Sequence, residues 1–351
     1  MPKNKWIQAG VATGIGSLPH QTEAEALAVV AGALPYWPHW PQLPAKHDEQ
    51  GFVVQYVQPL RAHGLLNVIP PRDPVFVRRQ PGWEECSLAF YEAYLAFVSG
   101  NDTGYFSLQG EAFAGLDAFV DRFDRLFPAA CGVKGQVSGP LTVGLQIKDE
   151  EGRACFYDDN LRDILVKCLA IQAVLVARRL KALGKPVLLF LDDPGLFLIG
   201  SSHYITLIPE ICRQALLEAI ELLHREDVRV GVHACSGMDW SLLFDLPLDM
   251  VSFDAYHYFP SMLVQASALQ AYLEWGGHLA WGIVPTSDEA WQETPESLAT
   301  RFAAQEKELV ERGVDRDLLR EQMIWTPSCG TGALPVDLAE QVYRLLGALN
   351  F

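Results

Sequence analysis

Residues 187–194 read Val187-Leu188-Leu189-Phe190-Leu191-Asp192-Asp193-Pro194. A short apolar run that stops at two acids and a proline reads as a β-strand ending at a turn. A helical run, Ile164 to Leu183, precedes it, and another, Ile205 to Arg225, follows it. The same pattern extends in both directions. Toward the C-terminus, strand-like runs end at Cys235 (from Val228), at Asp254 (from Met250), at Val284 (from Leu279) and at Pro327 (from Met323). Helical runs from Pro295 to Arg312 and from Val336 to Leu346 repeat apolar residues at i, i+3, i+4 spacing. Toward the N-terminus, strand-like ends fall at Lys134 to Pro140, at Trp37 and at Ser17, with a helix-like stretch from Thr22 to Ala33.

Counting all of these ends gives eight strands alternating with helices. That alternation predicts an α/β chain folded as a single (β/α)8 TIM barrel over residues 1–351. An insertion after the second strand, at about 46–130, carries an amphipathic helix (Glu84 to Phe97) and two β-like runs, Phe52 to Val57 and Gly104 to Leu108. In such a barrel chemistry sits where strands end, so the polar residues just past each strand are the candidates.

Composition narrows the function. Half the residues are apolar and a fifth charged, as in a chain with a sizeable core rather than a disordered one. Lys plus Arg is 27 against 43 Asp plus Glu, a net charge of −16, which argues against nucleic-acid partners and a polybasic membrane anchor. No apolar stretch approaches the roughly 20 residues of a membrane span. Lys3 and Lys5 are followed by no apolar h-region, so a cytoplasmic location without a signal peptide is expected. The odd set of seven cysteines suggests free thiols or metal ligands rather than a disulfide framework.

His233 and Cys235 end one strand two residues apart, hence on one side of it. Cys329 lies just past the last strand, in Pro327-Ser328-Cys329-Gly330, and Asp254 ends the strand between them. Imidazole, two thiolates and a carboxylate form a zinc-type donor set. On spacing alone, three unrelated side chains at a barrel rim are an equal reading. Asp192 and Asp193 are adjacent acids after an apolar strand; one is expected to point inward to a site and one outward. Ser17 by itself reads as a turn or helix N-cap residue, since the stretch Thr22 to Ala33 begins soon after it. Trp37 and Trp40 could wall a substrate site or stiffen a loop, and Tyr256 and His257 could line the site or pack at its mouth.

Taken together, five fragments resemble the C-terminal catalytic half of cobalamin-independent methionine synthase and its short stand-alone relatives, within the uroporphyrinogen decarboxylase/methionine synthase-like barrel superfamily. They are Ile15-Gly16-Ser17-Leu18-Pro19, Lys134 to Thr142 (KGQVSGPLT), Leu191-Asp192-Asp193-Pro194, His233-x-Cys235 and Pro327-Ser328-Cys329-Gly330. The resemblance runs from Gly14 to the end of the chain. It implies a zinc ion held by His233, Cys235 and Cys329, with Asp254 at the position of the family's glutamate ligand. It also implies a zinc-dependent methyl transfer to a thiol, most simply homocysteine to methionine. Ile15, Gly16 and Ser17 would hold the amino-acid carboxylate and Asp192 the amino group, Ser17 and Asp192 being the catalytic pair.

Two features depart from the family. No histidine occupies the stretch Gly282 to Asp288, where the family carries an acid catalyst. The family's H-G-E fragment has no clean counterpart, although Glu49 and Gln55 lie in the corresponding region. Either a methyl-corrinoid protein or a methyl-folate is therefore expected as donor. Other readings are a corrinoid-linked enzyme for another thiol such as coenzyme M, and a non-catalytic zinc-binding relative. Porphyrinogen decarboxylation would need a basic cavity, which this acidic chain does not suggest.

Overall fold

Six strands form one parallel sheet in sequential order: β3 (Val133–Ser138), β4 (Val187–Asp192), β5 (Arg229–Ala234), β6 (Met250–Phe253), β7 (His278–Val284) and β8 (Met323–Pro327). Two further short strands, β1 (Leu66–Asn67) and β2 (Val75–Phe76), pair antiparallel outside this sheet. These elements come from a computed structural model that describes residues 6–67, 74–201 and 206–349. Helices lie between successive strands, including Asp159–Lys181 before β4, Pro209–Arg225 before β5 and Pro295–Glu311 before β8.

Period-two alternation along the strands divides the core. Leu188 and Phe190 of β4, Met250 of β6, Ala280 of β7 and Ile324 of β8 pack together inside the curl with Ile7, Val11, Ile15 and Trp37. The intervening residues, such as Leu189, Leu191, Val230 and Val251, join the larger cluster against the helices. Gly231 fits this inner layer because the Phe190 ring takes the place of its side chain; a Cβ there would lie 2.5 Å from the ring.

The sheet has six strands where eight were expected. The segments expected to be the first two are interrupted by bends at 16 and 35–37 and make isolated bridges only. Ala12 bridges Trp325 of β8, Ser17 bridges Gln42, and His39 bridges Lys134 of β3, so residues 10–18 and 36–42 connect the two edges of the sheet. Backbone bonds follow the same route: Thr13 N to Trp325 O at 3.0 Å, Leu18 N to Gln42 O at 2.9 Å and Lys134 N to Pro38 O at 2.9 Å. Pro35, Pro38, Pro41 and Pro44 lack the N–H groups that a continuous ladder requires.

Phe52 to Val57, expected to be β-like, is a succession of turns, with Gln55 N bonded to Gly51 O at 3.1 Å. Gly104 to Leu108 is likewise irregular. In both, apolar side chains are buried under neighbouring elements rather than across a strand pair, so packing prevails over β-propensity. The amphipathic helix is present as Trp83–Val98. Its Phe90 joins Tyr56, Phe113 and Phe119 in the large cluster that also holds Leu189 and Val230. Thr22 caps the helix Glu23–Ala33, accepting from Glu25 N at 3.3 Å. The expected helix start at Ile205 lies outside the described residues, as do Lys3 and Lys5. No helix among the described residues is long and apolar enough to cross a membrane.

Candidate functional site

The inward-facing columns of β4 and β5 end on Asp192 and His233, which are paired in register. His233 pairs in turn with Ser252 on β6. The His233 Nδ1 and Ser252 Oγ lie 2.9 Å apart, which fixes the ring, while Nε2 is buried without a hydrogen-bond partner. Two residues on, Cys235 continues the same face, and Cys329 arrives from the end of β8.

The ligand atoms of His233, Cys235 and Cys329 all lie within 4.8 Å of one another. Donors around a tetrahedral zinc are separated by about 3.5–4 Å, given bonds of 2.0–2.3 Å, so a small adjustment completes the geometry. Cys235 is drawn below the ordinary thiol range, first by the Cys329 thiol hydrogen-bonded to it and then by His233. Cys329 is raised well above the ordinary thiol range by that same bond and by burial. Two thiols beside a fixed imidazole with a buried, unpaired Nε2 are a donor set that fits a zinc ion.

Asp254, at the end of β6, lies outside this trio. Both of its oxygens are engaged by His257: Oδ1 accepts from the backbone N–H at 2.9 Å, and Oδ2 lies 2.8 Å from Nδ1. His257 Nε2 meets Glu289 at 2.8 Å. Burial pulls the His257 pKa down, but its two carboxylate partners outweigh that and raise it. Neither Tyr256 nor His257 lines the cleft described next, and Trp37 and Trp40 are fully buried in the core instead of forming its wall.

A cleft of about 470 Å³ opens beside the trio. Ile15, Ser17, Gln42, Gln50, Phe52 and Asp192 line it together with His233, Cys235 and Cys329. Asp192 Oδ1 is buried without a partner, and burial raises its carboxyl to about 6 despite Lys134 and His233. Asp193, expected to face outward, is fully buried. Its carboxylate accepts from Leu141 N at 2.9 Å, Thr142 N at 2.8 Å and Thr142 Oγ1 at 2.5 Å, closing the N-terminus of the helix Pro140–Gln146. The outward position was unavailable because this helix start needs an acceptor.

Ser17 Oγ accepts from Gly332 N at 3.1 Å, which leaves its own proton free. Gly330 packs against it so closely that a Cβ would lie 2.3 Å from Ser17 Oγ. Gly16 lies between Ile15 and Ser17 without itself lining the cleft. Glu49 pairs with Arg61 at 3.6 Å, and Gln55 binds Gln42 and Ala112, so neither lines the cleft. Gln50 does, and no spacing in the sequence singled it out. Lys134, which opens one of the five fragments but was given no role of its own, is buried in the inner core; its ammonium donates to Ile15 O and lies 4.5 Å from the Phe190 ring. Burial lowers its pKa to about 8, against the opposing pull of Asp192.

No family model matches the sequence, and no curated protein matches it. Among solved structures the chain is similar to a B12-independent methionine synthase from Shewanella sp. W3-18-1 in complex with selenomethionine. The TM-score is 0.56 at 15% identity, covering 97% of this chain and 96% of that one. At that identity the likeness establishes a shared fold.

Proposed function

We propose that this chain is a zinc-dependent methyltransferase whose acceptor is a small thiol, homocysteine in the first instance, with methionine as the product. The observation that carries the reading is the convergence of His233, Cys235 and Cys329 within 4.8 Å, beside a cleft that also presents Asp192. The fold shared with a B12-independent methionine synthase supports it. So do the five sequence fragments, each at a strand end or sheet edge.

His233, Cys235 and Cys329 would hold the metal, with Ser252 orienting the imidazole. Zinc bound there would supply a substrate sulfur held as thiolate at neutral pH. The remaining work belongs to the chain. Asp192 Oδ1, with no protein partner, would receive the substrate ammonium. Ser17, whose hydroxyl proton is free, would donate to the carboxylate from the Ile15–Gly16–Ser17 rim. A sulfur lone pair then forms the new S–CH3 bond. With a methyl-corrinoid the Co–CH3 bond breaks and its electron pair stays on the corrinoid; with a methyl-folate protonated at the methylated nitrogen the N–CH3 bond breaks and its pair stays on the neutral amine. A cleft of about 470 Å³ suits a small thiol, with the donor approaching from its open side.

Asp192 also ranks the thiols. Homocysteine brings an ammonium to it, whereas coenzyme M, a sulfonate with no cation, brings only like charge. Zinc analysis of the purified protein beside Cys235→Ala and Cys329→Ala tests the metal. Methylation of homocysteine from methyl-corrinoid and methyl-folate donors tests the reaction. Wild type without stoichiometric zinc after reconstitution would overturn the reading. Zinc without methyl transfer from either donor would favour a metal-binding protein without this activity.

A further inference from the structure

Gln50 is 1% exposed and lines the cleft, yet its Nε2 has no hydrogen-bond partner. The orientation of the amide is fixed from behind. Its Oε1 accepts from Leu43 N at 2.8 Å, so the oxygen faces the backbone and the NH2 is the free end. A buried donor left unpaired is costly, and such atoms in a binding cleft mark where a ligand acceptor belongs. Asp192 Oδ1 is the complementary case, a buried acceptor without a donor in the same cleft. No Lys or Arg is among the described residues that line the cleft.

We propose that Gln50 anchors the substrate carboxylate and that, with Asp192, it selects a zwitterionic α-amino-acid thiol of zero net charge. This rests on the reading of the trio as a thiol-binding metal centre. Three complementary features belong to residues that line the cleft: the metal trio for the sulfur, an unpaired carboxylate oxygen for the ammonium and an unpaired amide N–H for the carboxylate. Because the donors for the carboxylate among the described lining residues, Gln50 and the Ser17 hydroxyl, are neutral, a thiol with negative charge but no ammonium gains no compensating cation from them. It meets the Asp192 charge instead. The role makes Gln50 a specificity determinant that the strand-end fragments do not include.

The test uses protein loaded with Co2+ in place of zinc, whose visible absorption changes when a thiol sulfur coordinates. Wild type, Gln50→Leu and Gln50→Glu are titrated with L-homocysteine and with 3-aminopropane-1-thiol, which is homocysteine without its carboxylate. Wild type is expected to favour homocysteine. Both substitutions should weaken homocysteine binding by about tenfold or more, the worth of one charge-assisted hydrogen bond. Binding of 3-aminopropane-1-thiol should stay within about twofold in Gln50→Leu and should not weaken in Gln50→Glu. Gln50→Glu keeps an acceptor for Leu43 N, so it separates the charge effect from loss of packing. Unchanged homocysteine affinity in both variants, or equal weakening of both thiols, overturns the role of Gln50 while leaving the thiol site intact. A wild-type cobalt spectrum that neither thiol alters overturns the thiol site and this role with it.

Discussion

Asp192 and His233 are register partners on neighbouring parallel strands, so a carboxylate and an imidazole leave the sheet side by side. Each ends with one buried polar atom unpaired, Oδ1 on the acid and Nε2 on the imidazole. Asp192→Asn removes the charge and keeps the shape. We expect zinc content to be unchanged and the KM for homocysteine to rise about 10–100-fold, as for loss of a buried charge-assisted bond. Steady-state kinetics beside metal analysis checks this. Loss of zinc in the variant would instead make Asp192 part of the metal centre.

Ser252 touches no substrate on this reading but fixes the His233 ring through the 2.9 Å contact at Nδ1. Removing such a support ordinarily costs 10–100-fold in metal affinity. Ser252→Ala should therefore lose zinc to a competing chelator at about 10–100-fold lower chelator strength than wild type. Thermal stability without metal should change little.

Asp193 supports the helix start at Pro140 by accepting from three donors of Leu141 and Thr142. Asp193→Ala would strand these buried donors. The expected loss is about 2–4 kcal/mol of folding stability, measured by denaturant titration. Asp192→Asn should not share this loss, which separates the structural acid from the one proposed to bind substrate.

His39 ties the bridging segment 36–42 to the C-terminal helix Val336–Gly347, with Nε2 2.7 Å from the Tyr343 hydroxyl and Nδ1 2.9 Å from Trp40 O. Burial, aided by Lys134, pushes its pKa down to about 3. The unfolded chain takes up this proton near pH 6.5 and the folded chain does not, so the His39 contribution is full above about 6.5. It is lost progressively as pH falls from there toward about 3. His39→Gln removes the titration. The variant's Tm should therefore fall less steeply than that of wild type between about pH 6.5 and 4.

Six of the eight expected strand ends, and the residue types they carry, were legible in the chain itself. Period-two alternation is a local property, so it places His233 and Cys235 on one side of β5 and sets Asp192 at the end of β4. The family resemblance rests on the same ends. The pattern also located the helices Glu23–Ala33, Trp83–Val98 and Pro295–Glu311 to within a residue. What depended on distant chain was not legible. Proline-rich segments make bridges where two strands were counted, because ladder formation depends on the donors of both partners. His257 engages Asp254, and a helix start claims Asp193, each choice being made by a neighbouring group rather than by the acid. Gln50 carries no sequence signal at all. The amide oxygen is held by Leu43 N, which leaves the N–H end free, and the fold brings Gln50, from the turn at 48–50, to the same cleft as Asp192 and His233. Residue type and spacing decide which chemistry a strand can offer. Only the packing of remote segments decides which polar atoms are left free to use it.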